Sequence, residues 1–255
     1  LLTKRLLGWN KKFMTSTVKN LARGILNALH IRITKNQEYD FQAYRIMQSH
    51  LQSGSNAIDV GCHKGEFLDH FMKFAPAGTH FAFEPIPQYY KNLQEKYGDN
   101  IKIFPYALSN TKTTTKFNYV KNAPAYSGLK KRQYAVQAPD IEEIEVQTEM
   151  LDNLIPDDIP VHFIKIDVEG AEFLVLQGSA HILKKNRPLV IFEFGLGASD
   201  FYKVQPEDVF SFFSSSCNMK ISLMKDFLHG KDPLTPEGFS SHYFNRTEYY
   251  FVAHP

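Results

Sequence analysis

An α/β fold wound around a central sheet is predicted by three stretches of this 255-residue chain. The first runs from Asn56 to Phe67: Ala57, Ile58 and Val60 suit a short buried strand, and Gly61 and Gly65 bracket a tight turn. Apolar residues then return at Phe67, Leu68, Phe71, Met72 and Phe74, which is helical spacing. The second is His80-Phe81-Ala82-Phe83, a strand that ends in Glu84. The third is Phe163 to Ile166, a strand with Asp167 at its carboxyl end and a helix beginning near Ala171. Strand, turn and helix in alternation define a doubly wound sheet, in which ligands sit beyond the carboxyl ends of the strands.

Residues 1–37 precede this core and contain eight basic side chains and no acid, whereas the remainder carries a net charge of about −6. The pattern there predicts one or two amphipathic helices within a basic extension over 1–40, ahead of a domain over 41–255. Such an arm could touch an anionic membrane surface, RNA or an acidic partner, or pack its leucines on the body as a solvated extension. The chain begins at Leu1, as a piece of a longer protein would. Asp40 is a candidate cap for a helix through Phe41, Tyr44, Met47 and Leu51, ending near Gly54.

In the first turn, Gly61 and Gly65 suit close ligand approach and positive φ, with Cys62, His63 and Lys64 between them. The spacing Gly-x-x-x-Gly misses the dinucleotide fingerprint. Asp59 would repel a pyrophosphate but suits a cation, and S-adenosylmethionine (SAM) carries both a sulfonium and an ammonium. Glu84 stands where ribose hydroxyls are held in related folds, followed by Pro85 and Pro87. A helix is expected over Gln88–Tyr97 and a strand over Ile101–Phe104. Pro105-Tyr106-Ala107 then suits an apolar slot for adenine.

From Thr111 to Thr148 the periodicity changes, with alternating strands expected over Lys112–Tyr119 and Glu143–Thr148. Between them lie Pro124 to Gly128 and the basic run Lys130-Lys131-Arg132. A parallel core does not require this insertion, so it is either a lid or substrate loop or an edge hairpin. Further on, one helix is expected from Ala171 to just before Pro188, then a strand Leu189–Phe192 ending in Glu193. A short helix over Pro206–Phe213, a strand over Met219–Met224 and a late strand over Glu248–Val252 complete the chain. Phe239, Tyr243, Phe244, Tyr249 and Tyr250 form an aromatic group that could fill core or stack on sugar faces.

Three segments, Ile58-Asp59-Val60-Gly61-x-x-x-Gly65-x-Phe67, Phe83-Glu84-Pro85-x-Pro87 and Ile164 through Glu172, resemble the FkbM family of SAM-dependent methyltransferases. Arg187-Pro188 with the strand to Glu193 agrees. The resemblance covers about 53–194, and its specific part is the contiguous Ile-Asp-Val-Glu-Gly-Ala-Glu. Cys62-His63-Lys64 depart from the small polar residues commoner in that turn. The resemblance implies a class I, Rossmann-like methyltransferase sheet of seven mostly parallel strands with the last antiparallel. It also implies SAM as cofactor and O-methylation of a sugar, glycan or secondary metabolite.

The expected cofactor-binding set is Asp59, Gly61, Cys62, His63, Lys64, Gly65, Phe67, Glu84, Pro85, Tyr106, Ala107 and Asp167. Because SAM already activates its methyl group, the protein must align the acceptor and supply a base. Asp167 and Glu169 are the expected catalytic pair. Asp167 could instead orient the methionine ammonium, and Glu169 and Glu172 could simply complement a helix start. Asp167, Glu169 and Glu193 could offer oxygen ligands to magnesium, but three acids alone do not identify a metal, and none is expected. His63 is an unusual imidazole in the turn, and His162 reads as structural.

An RNA methyltransferase and a non-catalytic SAM-fold module are the competing readings. The basic arm lacks the interleaved aromatics of single-strand readers, so a small-molecule or glycan acceptor is expected rather than nucleic acid. Two cysteines, Cys62 and Cys217, point to a reducing, cytoplasmic compartment. Oligomeric state is not legible.

Overall fold

Ten strands and their connecting helices are seen in a computed structural model that describes residues 34–255. The helices expected before residue 34 lie outside the described residues. The helix reaching the sheet is Lys35–His50, beginning five residues before the expected Asp40 cap. Thr34 caps it instead: its Oγ1 accepts from the Gln37 amide, and the Gln37 side chain accepts from the Thr34 amide.

The strands are β1 (Ala57–Val60), β2 (His80–Phe83), β3 (Ile101–Phe104), β4 (Tyr106–Leu108), β5 (Thr113–Val120), β6 (Ile141–Glu149), β7 (Phe163–Ile166), β8 (Leu189–Glu193), β9 (Lys220–Leu223) and β10 (Tyr250–His254). Seven form the main sheet in the order β3-β2-β1-β7-β8-β10-β9. β10 runs antiparallel between β8 and β9, and the other pairings are parallel. β1, β2 and β7 are buried at every position, as expected of strands covered on both faces. Connections leave β1 toward β2 on one side, and β7 pairs on the other, so the sheet's switch point lies between β1 and β7. β10 enters the sheet from the opposite direction, which puts its first residue, Tyr250, opposite Glu193 at the carboxyl end of β8.

The main core is aromatic-rich, with Phe81, Phe83, Phe192, Phe194, Phe213, Phe239 and Phe251 all almost inaccessible to solvent. Phe239 and Tyr243 belong to this core, and both stack on Phe194, so only part of the late aromatic group is available for other roles. Phe244 is exposed.

Two expectations shift. The helix expected from Ala171 to Pro188 is two helices, Glu172–Gln177 and Ala180–Asn186. The break falls at Gly178-Ser179, where the Gly178 carbonyl accepts from the Asp152 amide and the Ser179 hydroxyl turns back to Val175. The segment after β3, expected as a slot for adenine, is itself structured: Tyr106–Leu108 is a strand parallel to β6, in a second sheet ordered β4-β6-β5. Ala107 is thereby buried with Ile86, Phe117 and Val146 in a small core of its own. Between β5 and β6, where the sequence offered no strand, residues 121–140 form a strap with little regular structure. Among the described residues no helix is long and apolar enough to cross a membrane.

Candidate active site

The turn after β1 is built by backbone. Gly61 and Gly65 have φ of 75° and 82°, the left-handed region that glycine adopts without strain. A Cβ on Gly61 would lie 2.0 Å from the Asp167 carbonyl oxygen, and one on Gly65 would lie 2.7 Å from the Tyr97 hydroxyl. Both glycines are therefore demanded by close packing inside the protein, which is a different reason from the ligand approach expected of Gly61. The amides of Gly61 and Cys62 donate to the Phe83 carbonyl, that of His63 to Glu84 Oε2, and that of Gly65 to the Cys62 carbonyl. Lys64 is exposed, Phe67 is half-buried, and Cys62 is buried and unpaired. The His63 ring packs 4.6 Å from the Tyr89 ring, and burial lowers its pKa below the usual histidine value.

Glu84 is held from two sides, with Oε2 accepting from His63 and Oε1 from the Ile86 amide. Burial raises its pKa to about 7 against the lowering effect of those two amides. Each oxygen keeps a second lone pair for a hydroxyl donor. Pro85 is half-buried beside it. Tyr106 is half-buried and stacks on Phe104, which in turn stacks on Phe83. Ala107, buried in the small core, does not line an open slot.

Asp59 corrects a second expectation. Its carboxylate is 1% exposed and cannot meet a ligand cation directly. Its cation is internal: Lys165, its register partner on β7, lies 3.4 Å away. Burial raises the Asp59 pKa to about 6, partly offset by Lys165.

Beyond β7 the chemistry comes from side chains. Asp167 Oδ2 accepts a 2.6 Å hydrogen bond from the Tyr250 phenol and lies 3.6 Å from Lys165 Nζ. Oxygens of Asp167, Glu169 and Glu193 lie within 4.8 Å of one another. Glu193 is pushed well above the ordinary carboxylate range by burial and by the neighbouring Asp167 and Glu172 charges. Glu172 braces the loop from below, accepting from the Val168 and Gly170 amides. That loop needs bracing because Glu169 itself has a φ of 59°.

The strap closes over this cluster. Arg132 ion-pairs with Glu169, and its guanidinium lies 5.2 Å from the Tyr126 ring centroid. The Gln133 amide donates to the Gly197 carbonyl, and Lys130 donates to the Phe201 carbonyl while covering the Tyr202 ring. Arg132 Nε and the Tyr134 and Tyr202 hydroxyls are buried there without a hydrogen-bond partner in the protein. The three carboxylates could hold a hard divalent cation, though the guanidinium already supplies positive charge to the same cluster.

Asp167 and Glu169 are thus brought together, and Asp167 also adjoins the glycine turn, whose Gly61 contacts its carbonyl. Lys165, Arg132, Glu193 and Tyr250 complete the site without standing in the expected set. Lys165 and Glu193 were legible as charges on or ending an otherwise apolar strand. Tyr250 follows from the antiparallel last strand, whereas nothing in the sequence paired Arg132 with Glu169. A groove of about 630 Å³ bordered by Ser55, His162, Arg187 and Leu189 lies at the strands' amino ends, the opposite pole from these acids.

A family model for the methyltransferase FkbM domain matches residues 59–221, more than half of the chain. Methyltransferase FkbM from Methylobacillus flagellatus KT is similar in fold, with a TM-score of 0.50 and 15% identity over 80% of this chain. The present chain spans only 44% of that protein's length. A Streptococcus mutans protein described as a methyltransferase, solved in complex with SAH, aligns at a TM-score of 0.48 and 12% identity, over 88% of this chain and 99% of its own. A Clostridium thermocellum protein described as an rRNA methylase aligns at 0.47 and 11%, over 87% and 95%. No curated protein matches the sequence. With the family match running from Asp59 on β1, through Asp167, to Ile221 on β9, the chain belongs to the FkbM methyltransferase family.

Proposed function

We propose that this methyltransferase moves the methyl group of SAM to a hydroxyl of a sugar, glycan or secondary metabolite. The observation that carries the reading is Asp167: a carboxylate at the switch point, beside the glycine turn and fixed through Oδ2 by Tyr250. Bound SAM supplies an activated methyl, so the chain's own tasks are alignment and proton removal. The fit rests on Glu84, whose remaining lone pairs match a ribose diol, and on Tyr106, stacked on Phe104, as an apolar face after β3. The methionine end would lie along Gly61–Gly65, close to Lys165 and Asp167.

In this reading Asp167 accepts the acceptor's hydroxyl proton. Glu193, with an oxygen within 4.8 Å of Asp167, stands by as a second carboxyl group toward the acceptor. Glu169, already paired with Arg132, anchors the strap rather than acting as base. The strap then serves as the acceptor-side cover, which keeps water from the reacting atoms. A reducing compartment suits the two free, buried cysteines.

Calorimetry with SAM, followed by transfer of labelled methyl to lysate glycans and metabolites, tests the reading. An O-methyl product in a glycan or metabolite fraction is expected. SAM binding without transfer to any fraction would leave a non-catalytic module, and salt-sensitive label in RNA would favour the RNA methyltransferase.

A further inference from the structure

Lys165 occupies the third position of β7, a strand whose four residues are all buried. An apolar residue would fill that place without desolvating a charge, so stability alone does not account for an ammonium there. Its contacts do. Nζ donates to the Gly61 carbonyl at 2.9 Å and lies 3.4 Å from Asp59 Oδ1, 3.6 Å from Asp167 Oδ2 and 5.5 Å from the Phe67 ring centroid. The ammonium thus makes one hydrogen bond, to the turn, and two ion-pair contacts, to a carboxylate on β1 and to the one just beyond β7. Lys165 and Asp167 share one face of β7 because they are two residues apart, and Asp59 is level with Lys165 on β1.

From this geometry we infer that Lys165 is a positioning residue that locks the glycine turn after β1 to the acid after β7. The two halves of the site are otherwise joined through backbone: strand pairing holds Val60 beside Ile166 and the Asp167 amide donates to the Val60 carbonyl, but neither contact reaches the Asp167 carboxylate. The ammonium grips the first carbonyl of the turn and the Asp167 carboxylate at once, setting their separation. Asp59 is the counter-ion that makes this possible: it balances Lys165 from a place no ligand reaches, leaving Asp167 free to engage Tyr250 and Glu193. Although burial alone would lower the pKa of the ammonium, the Asp59 and Asp167 carboxylates raise it, so Lys165 stays charged. The consequence for donor binding rests on the SAM reading above, whereas the lock itself does not.

The test compares the full-length wild type with Lys165→Met, Lys165→Arg and the double variant Asp59→Asn/Lys165→Met. Thermal melts identify which of them fold. Hydrogen exchange is then followed for peptides covering 57–68 and 166–172, against β8 and β10 as internal reference. The lock predicts exchange in those two segments that is faster by roughly tenfold in Lys165→Met, with unchanged reference strands, and a partial return in Lys165→Arg. SAM affinity should fall by roughly tenfold in parallel. If Lys165→Met does not fold, the charge-neutral double variant carries the same measurement. Wild-type protection of both segments in a folded variant, or exchange raised evenly across the sheet, would overturn the role. A wild type that gives no heat with SAM would instead overturn the cofactor reading, and the exchange pattern would still decide the lock.

Discussion

The turn after β1 and the acidic cluster beyond β7 adjoin at one edge of the sheet but are assembled in opposite ways. The turn is made of backbone: its amides are spent on Phe83, Glu84 and its own carbonyl, and all the groups involved lie between Gly61 and Glu84. The acidic cluster is made of side chains from distant points, with Arg132, Asp167, Glu169, Glu193 and Tyr250 meeting only in the folded chain. A backbone-built region tolerates varied side chains, which is why Cys62, His63 and Lys64 can stand where small polar residues are commoner. A side-chain-built region lets one sheet serve different acceptors through changes in its insertions.

The strongest way to break this contrast is at Gly61. Gly61→Ala places a methyl group 2.0 Å from a backbone oxygen and forces a residue with a Cβ to a φ of 75°. A destabilisation on the order of 4 kcal/mol is expected in urea unfolding, with loss of SAM binding. Wild-type stability would mean the turn and β7 can part, and the region would not be rigid backbone after all.

Asp167→Asn probes the other side. Turnover should fall about 10²- to 10⁴-fold while SAM affinity changes little, measured by labelled-methyl transfer and calorimetry. An equal loss in affinity would make Asp167 a donor ligand and merge the two regions.

Glu84→Ala should weaken SAM binding about tenfold, on the order of 1.4 kcal/mol. The pH dependence sharpens this point. The folded-state pKa values of Glu84 and Glu172 are raised to about 7, and that of Asp59 to about 6, by burial. The native state therefore binds more protons than the unfolded chain between their ordinary pKa values and about 7. Their contribution to stability is greatest at low pH and declines as pH rises through that window. SAM affinity should move oppositely, rising toward pH 7 as Glu84 ionises. Melting curves and calorimetry between about pH 5 and 8 check both slopes. A parallel trend would remove Glu84 from the donor site.

The smallest effect is expected from Arg132→Ala. Losing one partly buried ion pair should raise the KM for the acceptor by about tenfold or less, with SAM affinity within about twofold. Faster tryptic cleavage at the exposed Lys130 and Lys131 would report release of the strap. Unchanged proteolysis and kinetics would reduce the strap to an edge hairpin.

Strand positions were readable because short apolar runs ending in Gly61, Glu84, Asp167 and Glu193 have few alternatives once strand and helix periods are separated. Ala107 was expected to line an adenine slot because it follows the end of β3, and only pairing with β6 makes 106–108 a strand and buries it. Asp59 was given to a ligand because a sequence does not show which residue lies level with it across the sheet. The break at Gly178 was hidden for a similar reason, since its cause is a hydrogen bond from Asp152.

By itself, then, the sequence determined the doubly wound core, the glycine turn and the FkbM family, all legible from residue types a few positions apart and from the 2.0 and 3.6 periods. Tertiary structure alone decided that Lys165 neutralises Asp59, that Tyr250 grips Asp167 and that Arg132 lands on Glu169. Those pairings depend on strand register, on the reversed direction of β10 and on how a strap folds across the sheet edge. They are non-local, so their energies appear only when segments separated by tens of residues come into contact.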